Sequence, residues 1–229
     1  MSEQVKHKVA IVDYGLGNLF SVKNACEKVG LKGQVTNQRN QIMNSDAVIL
    51  PGVGAFGDAM HSLRQWGLIE VLIELATSYK PLIGICLGMQ LLMEESFEFG
   101  HQEGLGIIKG SVKPFQNYSE KKKKKIKVPQ VGWNKIYRPK NNSHNNMWVD
   151  TFLEGLMDGE FFYFVHSFYI KPNEENLVLS STEYGDLCFC SCLKRRNIFA
   201  CQFHPERSGV QGLRIYENLA TYLNHKIEI

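Results

Sequence analysis

The chain has 229 residues, 44% of them hydrophobic, which is enough to fill a sizeable core and excludes a largely disordered protein. Its 26 Lys and Arg against 23 Asp and Glu leave a formal charge of only +3, so no general attraction to nucleic acid is expected. No run of about 18 apolar residues is present, and the polar start from Met1 to Lys8 lacks the apolar stretch of a secretory signal, so a cytoplasmic protein without membrane association is expected.

In chain order, Lys8 to Asp13 is a short apolar run closed by the turn Tyr14 to Asn18. Leu19, Val22, Cys26 and Val29 then recur at helical spacing as far as Gly30. Ala47 to Leu50 reads as a strand ending at Pro51-Gly52, and a helical pattern follows from about Asp58 to Tyr79 with a break near Gly67. Pro81 to Cys86 is a third apolar strand, leading into helix-forming residues from Leu87 to about Glu95. Continuous rather than alternating apolar runs imply strands covered on both faces, as in a parallel doubly wound sheet.

After Gly100 the texture changes to short strands with polar connections: 106–115, 128–137, 161–170, 177–183, 187–193 and 198–203. These suggest an antiparallel continuation, with a hairpin turn at Glu183 to Asp186. A helix from about Gly212 to Asn224 ends the pattern, its apolar stripe built from Leu213, Tyr216, Leu219, Ala220 and Leu223. The expected fold class is α/β, a flavodoxin-like three-layer arrangement with a mainly parallel central sheet and an added antiparallel portion. One domain spans 1–229. The polar stretches Ser119 to Lys125 and Pro139 to Asn146 read as surface loops, although a five-lysine run is also able to grip phosphate.

The sharpest chemical signal is Gly84-Ile85-Cys86-Leu87-Gly88 between a strand and a helix, which has the form of a nucleophile elbow. A thiol at a helix N-terminus is biased toward thiolate, and the backbone N–H of Leu87 can face a developing oxyanion. The plainer alternative is a buried cysteine packed as a small apolar residue. The candidate base is His204 in Phe203-His204-Pro205-Glu206. Pro205 favours extended backbone at His204, so that Glu206, two residues on, reaches back to orient the imidazole. Pro51-Gly52-Val53-Gly54 offers a second oxyanion donor. Gly52, Gly54 and Gly57 also satisfy G-x-G-x-x-G, but the acids about 20 residues on, Glu70 and Glu74, fall in a helix instead of ending a strand.

Six cysteines in so long a chain, with no Cys-x-x-Cys pair, point to reduced thiols and no metal. Cys188, Cys190 and Cys192 alternate along a strand, which puts three thiols on one face, with apolar packing favoured over ligation.

Together, Pro51 to Phe56, Gly84 to Leu92, Val128 to Asn134, Tyr163 to Ser167 and Gln202 to Glu206 resemble the class I glutamine amidotransferases, and within them the glutaminase subunits of imidazole glycerol phosphate synthases. The resemblance runs from about Val9 to Leu219. It implies a Cys86, His204 and Glu206 triad that hydrolyses L-glutamine through a glutamyl thioester, an oxyanion held by Leu87 and Gly52-Val53, and glutamine bound by Gln90, Glu98, Ser167 and Phe168. No cofactor or metal is implied. The implied partner is a (β/α)₈-barrel synthase subunit that receives ammonia as one half of a heterodimer, with Asn18, Gln130, Trp133 and Arg207 at the interface and ammonia gate. Gln130 and Arg207 stand where the family usually has His and Lys. Two other readings stay open: a related glutaminase that supplies ammonia to a nucleotide-linked sugar for surface polysaccharide, and a stand-alone cysteine hydrolase.

Overall fold

The computed structural model describes residues 7–121, 123–139 and 147–225. Of the second polar stretch, only Pro139 lies within the described residues. The apolar first half folds into strands Lys8–Val12 (β1), Lys32–Thr36 (β2), Ala47–Leu50 (β3) and Leu82–Ile85 (β4). Between and after them lie helices Leu19–Lys28 (α1), Arg39–Met43 (α2), Phe56–Gln65 (α3), Ile69–Thr77 (α4) and Leu87–Leu91 (α5). Asn18 starts α1 by accepting the Ser21 N–H at 3.3 Å.

The second half contributes strands Met93–Ser96 (β5), Gln102–Glu103 (β6), Ile108–Pro114 (β7), Tyr118–Ser119 (β8), Lys124–Lys125 (β9) and Gln130–Lys135 (β10). Phe161–His166 (β11), Phe168–Pro172 (β12), Val178–Tyr184 (β13), Leu187–Arg195 (β14) and Ile198–Cys201 (β15) follow, and helix Gly209–His225 (α6) comes last.

The central sheet has the order β13-β14-β15-β4-β3-β1-β2. From β15 to β2 it is parallel, while β13, β14 and β15 pair antiparallel. Successive residues along each parallel strand face opposite layers. Ala10, Val12, Val48, Leu50 and Leu82 join one buried cluster with α3, α4 and α5, whereas Val9, Ile11, Ile49, Ile83 and Ile85 join another with α1 and α6. Two-sided burial explains the unbroken apolar runs and establishes the three-layer α/β arrangement. Beside this sheet stand a four-stranded sheet β12-β7-β5-β6, the ribbon β10-β11 and the hairpin β8-β9.

The structure corrects several expectations. The helix after Cys86 stops at Leu91, because Met93–Ser96 leaves it to pair with β7. The segment 161–170 is two strands in different sheets, β11 on β10 and β12 on β7. Glu206 is not on extended backbone but on a single 3₁₀ turn, Pro205–Arg207, begun by an extended His204. The three alternating cysteines do not share a face. Cys190 lies opposite Ser181 and Cys192 opposite Ser180, so Ser191 is the extra residue of a bulge, and the two thiols enter different core clusters while Cys188 is exposed. The polar strand β2 and the short helix α2 carry too little apolar pattern to be read from sequence. No helix among the described residues is long and apolar enough to cross a membrane.

Two features of this scaffold are directly testable. A Cβ on Gly88 would lie 1.8 Å from the Leu50 carbonyl oxygen, so only glycine lets α5 start this close to β3. Gly88→Ala is expected to cost about 2–3 kcal/mol, read from the midpoint of urea unfolding. His166 is buried among Phe115, Phe164 and Phe189, with ring centroids 5.1–5.6 Å away. Burial, and secondarily the charge of His204, lower its pKa to about 4 against the pull of the Phe168 carbonyl. A histidine lowered in the folded state favours folding above its ordinary value and loses that contribution as pH falls through the folded value. Against His166→Gln, the native chain is therefore expected to lose on the order of 3 kcal/mol between about pH 6.5 and pH 4, measured by chemical unfolding at stepped pH.

Candidate active site

The order β15-β4-β3 places the ends of three neighbouring parallel strands side by side. Pro51-Gly52 follows β3, Cys86 follows β4, and Gln202 to His204 follows β15, so three segments far apart in sequence meet at one edge. Cys86 sits at the start of α5 with φ +54 and ψ −109, a strained conformation for a residue with a side chain. Its amide is fixed to the Cys201 carbonyl at 2.8 Å, and its own carbonyl accepts the N–H groups of Met89 and Gln90. The N–H groups of Leu87 and Gly88 belong to the first turn, where no intrahelical acceptor exists.

Around the Cys86 sulfur, Gln202 Nε2 donates at 3.6 Å and the Val165 carbonyl lies 3.9 Å away. His204 Nδ1 is 2.8 Å from Glu206 Oε1, and both side chains are buried. A carboxylate on Nδ1 fixes the proton there and leaves Nε2 as the working nitrogen. Nε2 is buried with no aligned hydrogen bond, while the ring is electrostatically coupled to the Cys86 sulfur. Burial by itself lowers the His204 pKa, but Cys86 and then Glu206 outweigh it and raise the value to about 10. The arrangement therefore puts a group able to carry a proton directly beside the sulfur, as a sulfur nucleophile served by an acid and base requires.

Gly52 lies against the elbow, since a Cβ there would stand 3.0 Å from Leu87 Cβ and 3.3 Å from the Gly88 nitrogen. Val53, the next residue, is 40% exposed. Gln90 is buried, and its Nε2 donates to the Phe168 carbonyl at 3.1 Å and to Gln202 Oε1 at 3.0 Å. Glu98 Oε2 accepts the Phe56 N–H at 2.5 Å, and burial raises its pKa against that bond. Ser167 is the junction of β11 and β12, and its carbonyl receives the Phe115 N–H at 3.0 Å.

The remaining expected residues separate by depth. Trp133 is 56% exposed on the outer face of β10, with its ring edge-on to Tyr163 at 6.2 Å. The Arg207 guanidinium lies over the same tyrosine at 4.4 Å. Gln130, by contrast, is on the buried face of β10, paired with His166, and its Oε1 has no hydrogen-bond partner. The Asn18 side chain caps α1. Sequence reasoning did not single out Gln202, which joins Gln90 to the Cys86 sulfur. Its contacts lie 112 and 116 residues away in sequence, so no local spacing signalled it. Among the described residues, no cluster of three His, Cys, Asp or Glu side chains is arranged to hold a metal.

Comparison with known proteins follows the same lines. Residues 10–221 match the family model described as Glutamine amidotransferase class-I. The chain is 45% identical over 210 residues to the imidazole glycerol phosphate synthase subunit HisH of Wolinella succinogenes, covering 92% of this chain and 97% of that one. It is 44% identical over 218 residues to the subunit of the same name from Sulfurimonas denitrificans, covering 95% and 100%. Among solved structures, PurLQS from Thermotoga maritima aligns with a TM-score of 0.69 at 17% identity, over 96% of this chain and 100% of that chain. A glutamine amidotransferase aligns with a TM-score of 0.66 at 18% identity, over 96% and 99%. These last two likenesses speak to fold alone. Family match and close relatives agree over nearly the whole chain, which therefore belongs to the class I glutamine amidotransferases.

Proposed function

We propose that this chain is the glutaminase half of an imidazole glycerol phosphate synthase, hydrolysing L-glutamine with Cys86 as nucleophile, His204 as general acid and base, and Glu206 as the group that orients His204. The observation that carries the chemistry is the meeting of Cys86 with a buried imidazole held at 2.8 Å by Glu206.

Cys86 sulfur attacks the side-chain amide carbon of glutamine and its proton passes to His204. The negative charge moves to the amide oxygen, which faces the N–H groups of Leu87 and the Gly52-Val53 segment. The C–N bond breaks as His204 protonates the nitrogen, releasing ammonia and leaving a glutamyl thioester. Water, deprotonated by His204, then attacks the thioester and displaces the sulfur, giving glutamate. Gln90, Glu98, Ser167 and Phe168 border the substrate, the first through its hold on the Phe168 carbonyl.

Ammonia passes to a (β/α)₈-barrel synthase subunit that forms imidazole glycerol phosphate and aminoimidazole carboxamide ribotide in histidine biosynthesis. Identities of 40–45% to subunits bearing that enzyme's name support this acceptor over a nucleotide-linked sugar. The exposed Trp133 and the Tyr163-Arg207 stack form the rim on which the barrel would seat; Asn18, at the start of α1, is assigned to the same interface, and Gln130 to the ammonia gate on the buried face of β10. The whole chain acts as one glutaminase domain, and six unbridged thiols suit a cytoplasmic setting.

With the barrel subunit and its nucleotide substrate present, Cys86→Ser is expected to lower glutamate release by at least about 10³-fold while still forming the complex. Retained hydrolysis overturns the nucleophile assignment. Strong ester or peptide hydrolysis without the barrel favours a stand-alone hydrolase instead.

A further inference from the structure

Tyr14 follows β1 and is completely enclosed, yet neither the triad nor the substrate contacts above use it. Its hydroxyl donates to the Pro51 carbonyl at 2.7 Å. That oxygen shares a rigid peptide plane with the Gly52 N–H, so holding the oxygen holds the plane. The contact is close, because a Cβ on Gly52 would lie 2.2 Å from the Tyr14 oxygen and 3.0 Å from Leu87 Cβ. Burial first, and the nearby Cys86 second, push the phenol's ionisation far above the ordinary tyrosine range, so it remains a neutral donor at every working pH.

The far end of the same segment is fixed by Glu98, which accepts the Phe56 N–H. Between these two anchors the Ala55 carbonyl accepts the Ala59 N–H at 3.1 Å. Among the described residues the Val53 N–H has no acceptor, and Gly54 has φ +104, a conformation glycine adopts without strain.

We propose that Tyr14 is a positioning residue of the glutaminase reaction, its hydroxyl clamping the Pro51-Gly52 peptide against Leu87 and Gly88 so that the backbone N–H groups of this segment are held toward the oxyanion. The proposal rests on the glutaminase reading above. It concerns only charge development in the tetrahedral state, not the binding of glutamine, and this separates it from a packing role.

The test is Tyr14→Phe, which fills the same space without the donor, assayed in complex with the barrel subunit. The expected result is a kcat at least about 10-fold lower with the glutamine KM within about 2-fold of the native value. The γ-aldehyde analogue of glutamate, whose carbonyl carbon bonds the Cys86 sulfur to give a tetrahedral adduct, should bind more weakly by a similar factor, while glutamate binding stays unchanged. A folded variant with native kcat and native aldehyde affinity overturns the assignment.

Gly52→Ala supplies an independent check, since its methyl collides with the hydroxyl that Tyr14→Phe removes. The double variant is expected to be more active than Gly52→Ala alone, and simple multiplication of the two losses overturns the proposal. A native complex that releases no ammonia overturns the glutaminase reading along with it. An active native complex matched by Tyr14→Phe overturns only the role of Tyr14.

Discussion

The site depends on β4 being flanked by β3 and β15 in parallel, so that three connections emerge together at the same edge of the sheet. The tightest point of that arrangement is the contact between Gly88 and the Leu50 carbonyl, where no side chain fits. It brings the first turn of α5, and with it the unused N–H groups of Leu87 and Gly88, within reach of the Pro51-Gly52 backbone. Burial on both sheet faces then locks the strands in register, since a slip of one residue would turn every apolar side chain toward the wrong layer.

Two buried histidines show how neighbours set the charge state of a group. Burial pushes His166 and His204 in the same direction, toward the neutral form. His166 meets one carbonyl oxygen and feels the charge of His204, so it stays lowered. His204 meets a sulfur and a carboxylate, and together these reverse the effect of burial. The difference comes from partners delivered by β4 and by the 3₁₀ turn after His204, not from depth in the core.

Much of this was legible in the sequence, and the exceptions share a cause. The apolar strands β1, β3 and β4, the elbow at Cys86, and the pairing of His204 with Glu206 all rest on residues within a few positions of each other. Local pattern was enough for them. The polar edge strand β2 pairs only with β1, so its residues carry no two-sided apolar signature. The break at Ser167 was hidden because both flanking strands are apolar, and which sheet each joins is decided by distant partners. Gln202 and Tyr14 act through contacts 116 and 37 residues away, and no spacing rule reaches that far. The Glu206 contact was anticipated for the wrong reason, since a turn rather than an extended segment brings the carboxylate back.

The ribbon β10-β11 carries one further implication. Strand β11 supplies the Tyr163 carbonyl that accepts the His204 N–H at 2.9 Å, and the Val165 carbonyl beside the Cys86 sulfur. The ring of the same Tyr163 stands in the exposed rim between Trp133 and Arg207. One short strand thus carries exposed rim residues and is also the rail from which His204 is hung. A substitution that shifts the rim is therefore carried through the same backbone to His204 and to the surroundings of the Cys86 sulfur.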